Sequence, residues 1–278
     1  MNVQPRVISP SRDGIKDIKN TFKITTINVA GINNNLKQEQ IMNFMIINKI
    51  QILGLSETKL KDSISENIYK KNQDVTAWWS NDDENHFSTG VAIIMKKDIA
   101  KYVVKVNRYR GRIIHVIMLM KGKVRLSVIQ IYNQAHDNDK EMKQNIYEEI
   151  EKIIKEETKL NAHIVLMGDF NIDKKKWLDK EKTLRKIHWK YHLFKILRKY
   201  KFYDSNEMFH KNPLNTWRRN EQSSRIDYIW TNQNLTEELT YASTNKVHIF
   251  NTDHSAVTTY FAENNIFKKT EDCDYEET

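Results

Sequence analysis

The stretch His163–Asp173 reads H-I-V-L-M-G-D-F-N-I-D: an apolar run stops at Gly168, and two strong polar groups, Asp169 and Asn171, follow at once. A short β-branched run bounded by glycine predicts a strand buried on both faces that delivers a carboxylate and a carboxamide to a crevice at its C-terminal end. Strand-end turn chemistry explains a single such ending equally well, because Asp and Asn both favour turns.

The pattern recurs, and recurrence separates the two readings. Phe22–Val29 alternates and carries Asn28 near its end; Gln51–Glu57 is apolar and ends in Glu57; Arg125–Tyr132 alternates up to Tyr132. Arg225–Trp230 places Asp227 among apolar neighbours, and Asp253-His254 opens S-A-V-T-T-Y-F. Ligands gather at strand ends in open α/β sheets, and an oxygen-rich carboxylate set suits a hard cation such as magnesium better than zinc.

The ordered set N-V-A-G, L-S-E-T-K-L, I-Y, G-D-F-N, S-R-I-D-Y and T-D-H-S, running from Asn28 to His254, resembles the endonuclease/exonuclease/phosphatase superfamily, whose members resemble deoxyribonuclease I and the abasic-site endonucleases. S-E-T-K-L, G-D-F-N and D-H-S-A are most similar to the endonuclease domain of LINE-type (non-LTR) retrotransposons. The resemblance implies a four-layer α/β (α+β) sandwich of two packed β-sheets flanked by helices, with the site at one rim. It implies a magnesium-dependent DNA endonuclease, with manganese as a substitute, that leaves a 3′ hydroxyl. A phosphatase or phosphodiesterase on a small or lipid phosphate, and a decayed copy that binds nucleic acid without cutting it, are the alternatives.

The same resemblance assigns roles. Glu57 binds the metal, helped by Asn28. Asp169 orients or deprotonates the attacking water or protonates the leaving group, and Asn171 offers two amide donors to a phosphate oxygen. Asp227 fixes the tautomer of His254 and keeps it protonated against the phosphate. Asp253 joins the metal shell or only bonds its turn; Tyr132 contacts phosphate or packs in the core. Thr216, Trp217 and Ser224 lie where the family places phosphate and strand-gripping contacts; by sequence position alone, Arg218, Arg219 and Arg225, which flank Thr216-Trp217 and precede Asp227, either supply cations beside the cut or only solvate a loop. The chain departs from the pattern at Ala30, where relatives carry an acidic residue or Asn, and at Asn133-Gln134-Ala135, where a proline-containing turn is usual.

Composition fits a polyanionic partner: the net charge is +9 and the pI about 9.3. The single cysteine, Cys273, excludes disulfides and cysteine-based zinc sites, and no apolar segment is long enough to span a membrane or serve as a secretory core. A monomeric intracellular protein is expected, nuclear by the resemblance and not secreted. Residues 1–20 read as a flexible arm, 21–262 as the catalytic domain and 263–278 as an acidic tail. Apolar spacing predicts helices over Leu36–Lys49, Asn138–Lys159 and Thr183–Tyr200.

Overall fold

Strand alternation assigns the apolar residues to three cores. In the computed structural model, which describes residues 21–135, 140–183, 188–263 and 267, the strands are β1 Thr21–Asn28, β2 Ile52–Ser56, β3 Val75–Ser80, β4 Val91–Lys96, β5 Val103–Tyr109, β6 Ile113–Leu119, β7 Arg125–Tyr132, β8 His163–Asp169, β9 Phe202–Asp204, β10 Trp217–Arg219, β11 Gln222–Ser224, β12 Asp227–Asn232, β13 Leu239–Lys246 and β14 Ser255–Ala262. Two six-stranded sheets have the orders β13-β14-β1-β2-β4-β3 and β5-β6-β7-β8-β12-β9, and β10-β11 forms a separate hairpin.

Side chains two apart share a face. Ile24, Ile52, Ile93 and Met95 of the first sheet therefore meet Val128, Val165, Met167 and Ile229 of the second in a central core. Their neighbours Ile27, Leu53, Ala92 and Ile94 face outward onto the helix Asn35–Ile47, while Ile129, Ile164, Leu166 and Tyr228 face the helices Lys140–Lys159 and His192–Lys199. Helix, sheet, sheet and helix form the four layers of the expected sandwich.

One pairing in each sheet is parallel, β1 with β2 and β7 with β8. Their C-terminal ends reach one rim. The antiparallel partners β14 and β12 start where β1 and β8 end, so the residues at their beginnings reach it too. Six separated motifs therefore meet at the mouth of the central core.

The helices differ in part from their sequence patterns. Asn34 caps the first helix by accepting from Leu36 N at 2.8 Å, and the helix buries Ile41, Met42 and Met45 while leaving Leu36 and Ile47 exposed. The continuous helix expected over Thr183–Tyr200 is replaced by a 3-10 turn at Trp189–Tyr191 leading into His192–Lys199, because His188 starts a new turn by accepting from Lys190 N. A further helix, Lys174–Lys182, precedes them, capped by Asp173. Leu184 and Ile187 lie outside the described residues, as do the arm at 1–20, the start of the Asn138–Lys159 helix and most of the tail. Phe267 is described: its ring packs 4.3 Å from that of Phe22 and 5.1 Å from that of Phe261.

Candidate active site

The parity that builds the central core also aims the rim residues. Asn28 follows Ile24, Tyr132 follows Val128, Asp169 follows Met167, and Asp227 precedes Ile229, each by an even number of positions. All four point between the sheets and are buried. Gly168 permits the close approach of β8 to β7: its φ is +134°, and a Cβ there would lie 2.0 Å from Ile131 O, so a larger residue would displace Asp169.

His254 Nδ1 lies 2.8 Å from Asp227 Oδ2, and its Nε2 is 4.0 Å from Asp169 Oδ2. Burial alone would favour neutral imidazole; the charge and hydrogen bond of Asp227, with the charges of Asp169 and Asp253, outweigh it and raise the His254 pKa to about 9. The ring is an imidazolium at neutral pH. Asp169 is held by Asn28 Nδ2 at 2.9 Å and by the amide of Asn171 at 2.9 Å. Burial, then the Asp227 charge, raises its pKa to about 7 against the opposing pull of His254.

Across the cleft stands Glu57. Lys59 Nζ lies 2.8 Å from its Oε1, Asn28 Nδ2 donates to Oε2 at 2.8 Å, and the Tyr132 hydroxyl also bonds it. Burial works against this carboxylate, but these hydrogen bonds outweigh it and hold its pKa below the ordinary value. Asn28 thus bridges the two carboxylates through one amide nitrogen, while its Oδ1 accepts from Ala30 N. The walls enclose a cleft of 790 Å³ whose lining includes Lys37, Trp217, Arg219 and Ser224.

A match to the Endonuclease/Exonuclease/phosphatase family covers residues 25–247. The chain belongs to that family. Its enzymes hydrolyse phosphodiester bonds and are divalent-metal dependent. The fold is shared with the 3′ phosphatase NExo from Neisseria, solved with a product DNA hairpin, at 23% identity over 86% of this chain and 99% of that one, with a TM-score of 0.69. It is shared with the AP endonuclease LMAP from Leishmania major at 14% identity, over 94% and 93% of the two chains, TM-score 0.73. For the catalytic domain of Xenopus laevis APE2 the figures are 18%, 87%, 92% and 0.71. No curated protein matches the chain.

Within this family member, the remaining expected site residues divide. Trp217, Ser224, Arg219 and Asp253 line the cleft and Arg218 is exposed beside it. Trp217 pairs with Ser224 across the hairpin and with His254 in an isolated antiparallel bridge on its other side, and its indole donates to Asp253 Oδ2 at 3.0 Å. The other Asp253 oxygen, Oδ1, lies 3.8 Å from His254 Nε2. Thr216 is buried, and its hydroxyl accepts from the amides of Ile226 and Asp227 at 3.0 and 2.9 Å, so it holds Asp227 from behind.

Arg225 is corrected more sharply. Its guanidinium is buried, paired with both oxygens of Asp204 and with Glu207, and lies over the Tyr228 ring. A cation so engaged is part of the core and is not offered to a phosphate. Asn171, at φ 49°, uses one amide donor on Asn133 O at 2.6 Å, which leaves the other for a ligand.

Asn133 compensates for the missing proline turn. Its side chain donates to Tyr147 Oη and to Phe170 O, and its amide to Asp169 O at 2.9 Å, which keeps Tyr132 paired with Asp169. Two cations that the motifs do not mark as site residues also face the site. Lys59 lies inside S-E-T-K-L, two residues after Glu57, and that spacing was a usable signal. Lys37 reaches in from the helix Asn35–Ile47 to the carbonyls of Val29 and Asn251, with no sequence signal to mark it.

Proposed function

We propose that this family member is a magnesium-dependent DNA endonuclease, of the target-nicking kind found in LINE-type retrotransposons. The observation that carries the reading is the imidazolium of His254, fixed by Asp227 and facing Asp169, directly across one cleft from Glu57. The exposed Arg218 and Arg219 on the hairpin that joins the His254 loop support a long polyanion over a small ester.

The donors suit a hard cation. Glu57 is an oxygen ligand whose outer oxygen already holds an ammonium, that of Lys59, and Ala30 adds no second carboxylate. Magnesium binds through one or two carboxylates, with substrate phosphate and water completing its shell, so Glu57 would be the residue that holds it. When bound, the metal polarises a phosphoryl oxygen and offsets the charge that develops as the ester bond breaks.

The chain's own groups perform the rest. Asp169, held by two donors and titrating near neutrality, takes the proton from the attacking water. His254, with a proton on each nitrogen and Nδ1 engaged by Asp227, turns Nε2 to a non-bridging phosphate oxygen and stabilises its growing charge. The free amide hydrogen of Asn171 holds a second oxygen. Tyr132, bonded to Glu57 and with the Arg112 guanidinium over its ring at 5.1 Å, fixes the carboxylate on the metal side.

The test is supercoiled plasmid incubated with and without magnesium, beside a duplex bearing one abasic site and a hairpin ending in a 3′ phosphate. Magnesium-dependent nicks that ligase reseals support the reading. Cleavage confined to the abasic duplex or the 3′ phosphate replaces it with a repair-type reaction, hydrolysis of small esters alone with a phosphatase, and binding without cutting with a decayed copy.

A further inference from the structure

Directly beneath the site, one layer down in the central core, three polar side chains form a chain of hydrogen bonds between the sheets. Thr26 Oγ1 donates to Gln130 Oε1 at 3.0 Å, and Gln130 Nε2 donates to Ser56 Oγ at 2.8 Å. Ser56 Oγ donates in turn to Ile131 O at 3.0 Å and accepts from Asp169 N at 3.3 Å. Thr26, Ser56 and Gln130 are fully buried. The serine hydroxyl has its one proton placed and both lone pairs occupied.

The niche is built for this carboxamide. A Cβ on Gly54 would lie 2.0 Å from Gln130 Oε1 and 2.7 Å from Met167 Cε, so the glycine in mid-β2 clears the space. A polar side chain in a layer otherwise made of Ile, Val and Met costs free energy unless fully bonded, and well-packed apolar residues would stabilise the same layer at least as well. Stability alone does not explain it.

Position does. Each member lies one or two residues from a rim group: Thr26 from Asn28, Ser56 from Glu57, Gln130 from Tyr132, while Ser56 bonds the amide of Asp169 itself. The strands concerned, β1, β2, β7 and β8, are the parallel pairs of the two sheets. Glu57 belongs to one sheet and Asp169 and Tyr132 to the other; Asn28 and Tyr132 bond across them at the rim, and the Ser56–Gln130 tie holds the layer on which those rim bonds stand.

We propose that Ser56 and Gln130 are positioning residues: their inter-sheet tie, beneath the Asn28 bridge, holds the metal-side carboxylate Glu57 and the proton-transfer side at Asp169 in register. The proposal rests on the functional reading above for its kinetic consequence and on geometry alone for its structural one.

An apolar replacement separates positioning from stability. The Thr26→Val, Ser56→Ala, Gln130→Met triple variant removes every side-chain partner of the tie at once, so it leaves few orphaned polar groups and is expected to unfold within a few degrees of wild type. Its kcat for plasmid or oligonucleotide nicking is expected to fall by about tenfold to a hundredfold, with KM changed less than about twofold, as for a misplaced reacting group. Should the triple fail to fold, Ser56→Ala alone, which keeps the Thr26–Gln130 bond, is expected to show the same split. Amide exchange at Asp169, measured without substrate, is expected to accelerate in both. Wild-type kcat in a variant of restored stability, or unaltered exchange at Asp169, overturns the tie. Absence of nicking by wild type under every metal overturns the functional reading instead, and the exchange measurement still decides the tie.

Discussion

Asp227 Oδ2 sits 2.8 Å from His254 Nδ1, and 27 residues of chain separate the two. Both are buried, and together with Asp169 they place three ligand-type atoms within 4.8 Å of one another. A charged His254 leaves Nε2 able to donate a hydrogen bond to an anion, with Nδ1 engaged by Asp227. His254→Ala is expected to lower kcat by about two orders of magnitude, and Asp227→Asn to lower it through loss of the correct tautomer. The double variant is expected to be no worse than the poorer single, because both disable one device. Losses that multiply would show that they act separately.

The same cluster sets the pH profile. Asp169 is a base only above its pKa of about 7, and His254 is an acid only below about 9. kcat/KM is expected to rise through the first value and fall through the second. In His254→Ala the alkaline limb should disappear. The acid limb should move to higher pH, because the imidazolium that helps ionise Asp169 is gone. An unchanged alkaline limb would assign it to another group.

Glu57→Gln is expected to weaken magnesium binding, read by calorimetric titration, while changing the unfolding temperature little, since a rim carboxylate contributes little to the core. Chelator should abolish nicking by wild type, and excess magnesium should restore part of it in the variant. Full activity of Glu57→Gln at low magnesium would move the metal elsewhere in the cleft.

His115 gives a stability prediction away from the site. It is buried against Ser127, 2.8 Å from its Nε2, and burial, aided by the charges of Arg125 and Lys105 and opposed by that of Glu157, lowers its pKa from 6.5 to about 4. Between these values the unfolded chain binds a proton that the folded chain refuses, so the folded state loses stability as pH falls from 6.5 toward 4. Thermal unfolding of wild type and His115→Gln across that window isolates this group, because shifts at Asp169 and His254 are common to both. Parallel curves would mean that His115 charges freely in the fold.

The strand ends were legible because a period of two places apolar neighbours and rim polar groups by the same rule: Met167 inward requires Asp169 inward. What lay beyond reach came from partners distant in sequence. Nothing local marks Arg225 as a core cation, since Asp204 is 21 residues upstream on β9. The two residues Thr216 and Asp227 are joined by a hydroxyl-to-amide bond across an intervening hairpin, which no spacing rule predicts. The helix stripe through Thr183–Tyr200 misled because a 3-10 turn leaves Tyr191 on the same buried side as Phe194 and Leu197, so the apolar period continues through a break in the backbone.

Duplex DNA and small esters are separated by salt. If the hairpin cations neutralise Z phosphates, log K for duplex falls with log salt at a slope of roughly −0.9Z, whereas an ester held only at the metal side shows little dependence. Arg218 and Arg219 are exposed on the hairpin that also carries Trp217 into the cleft; Arg225, 6 residues beyond Arg219, is buried with both terminal nitrogens paired to Asp204 and Glu207. In a Glu57→Gln background that binds without cutting, Arg218→Ala with Arg219→Ala is therefore expected to make the slope shallower by about one to two contacts. Arg225→Ala should leave the slope alone and cost about 3–5 kcal/mol of stability, because it strands a buried Asp204. A slope unaffected by the hairpin pair would favour a small phosphate substrate, and a slope altered by Arg225 would mean that its buried ion pair opens when DNA binds.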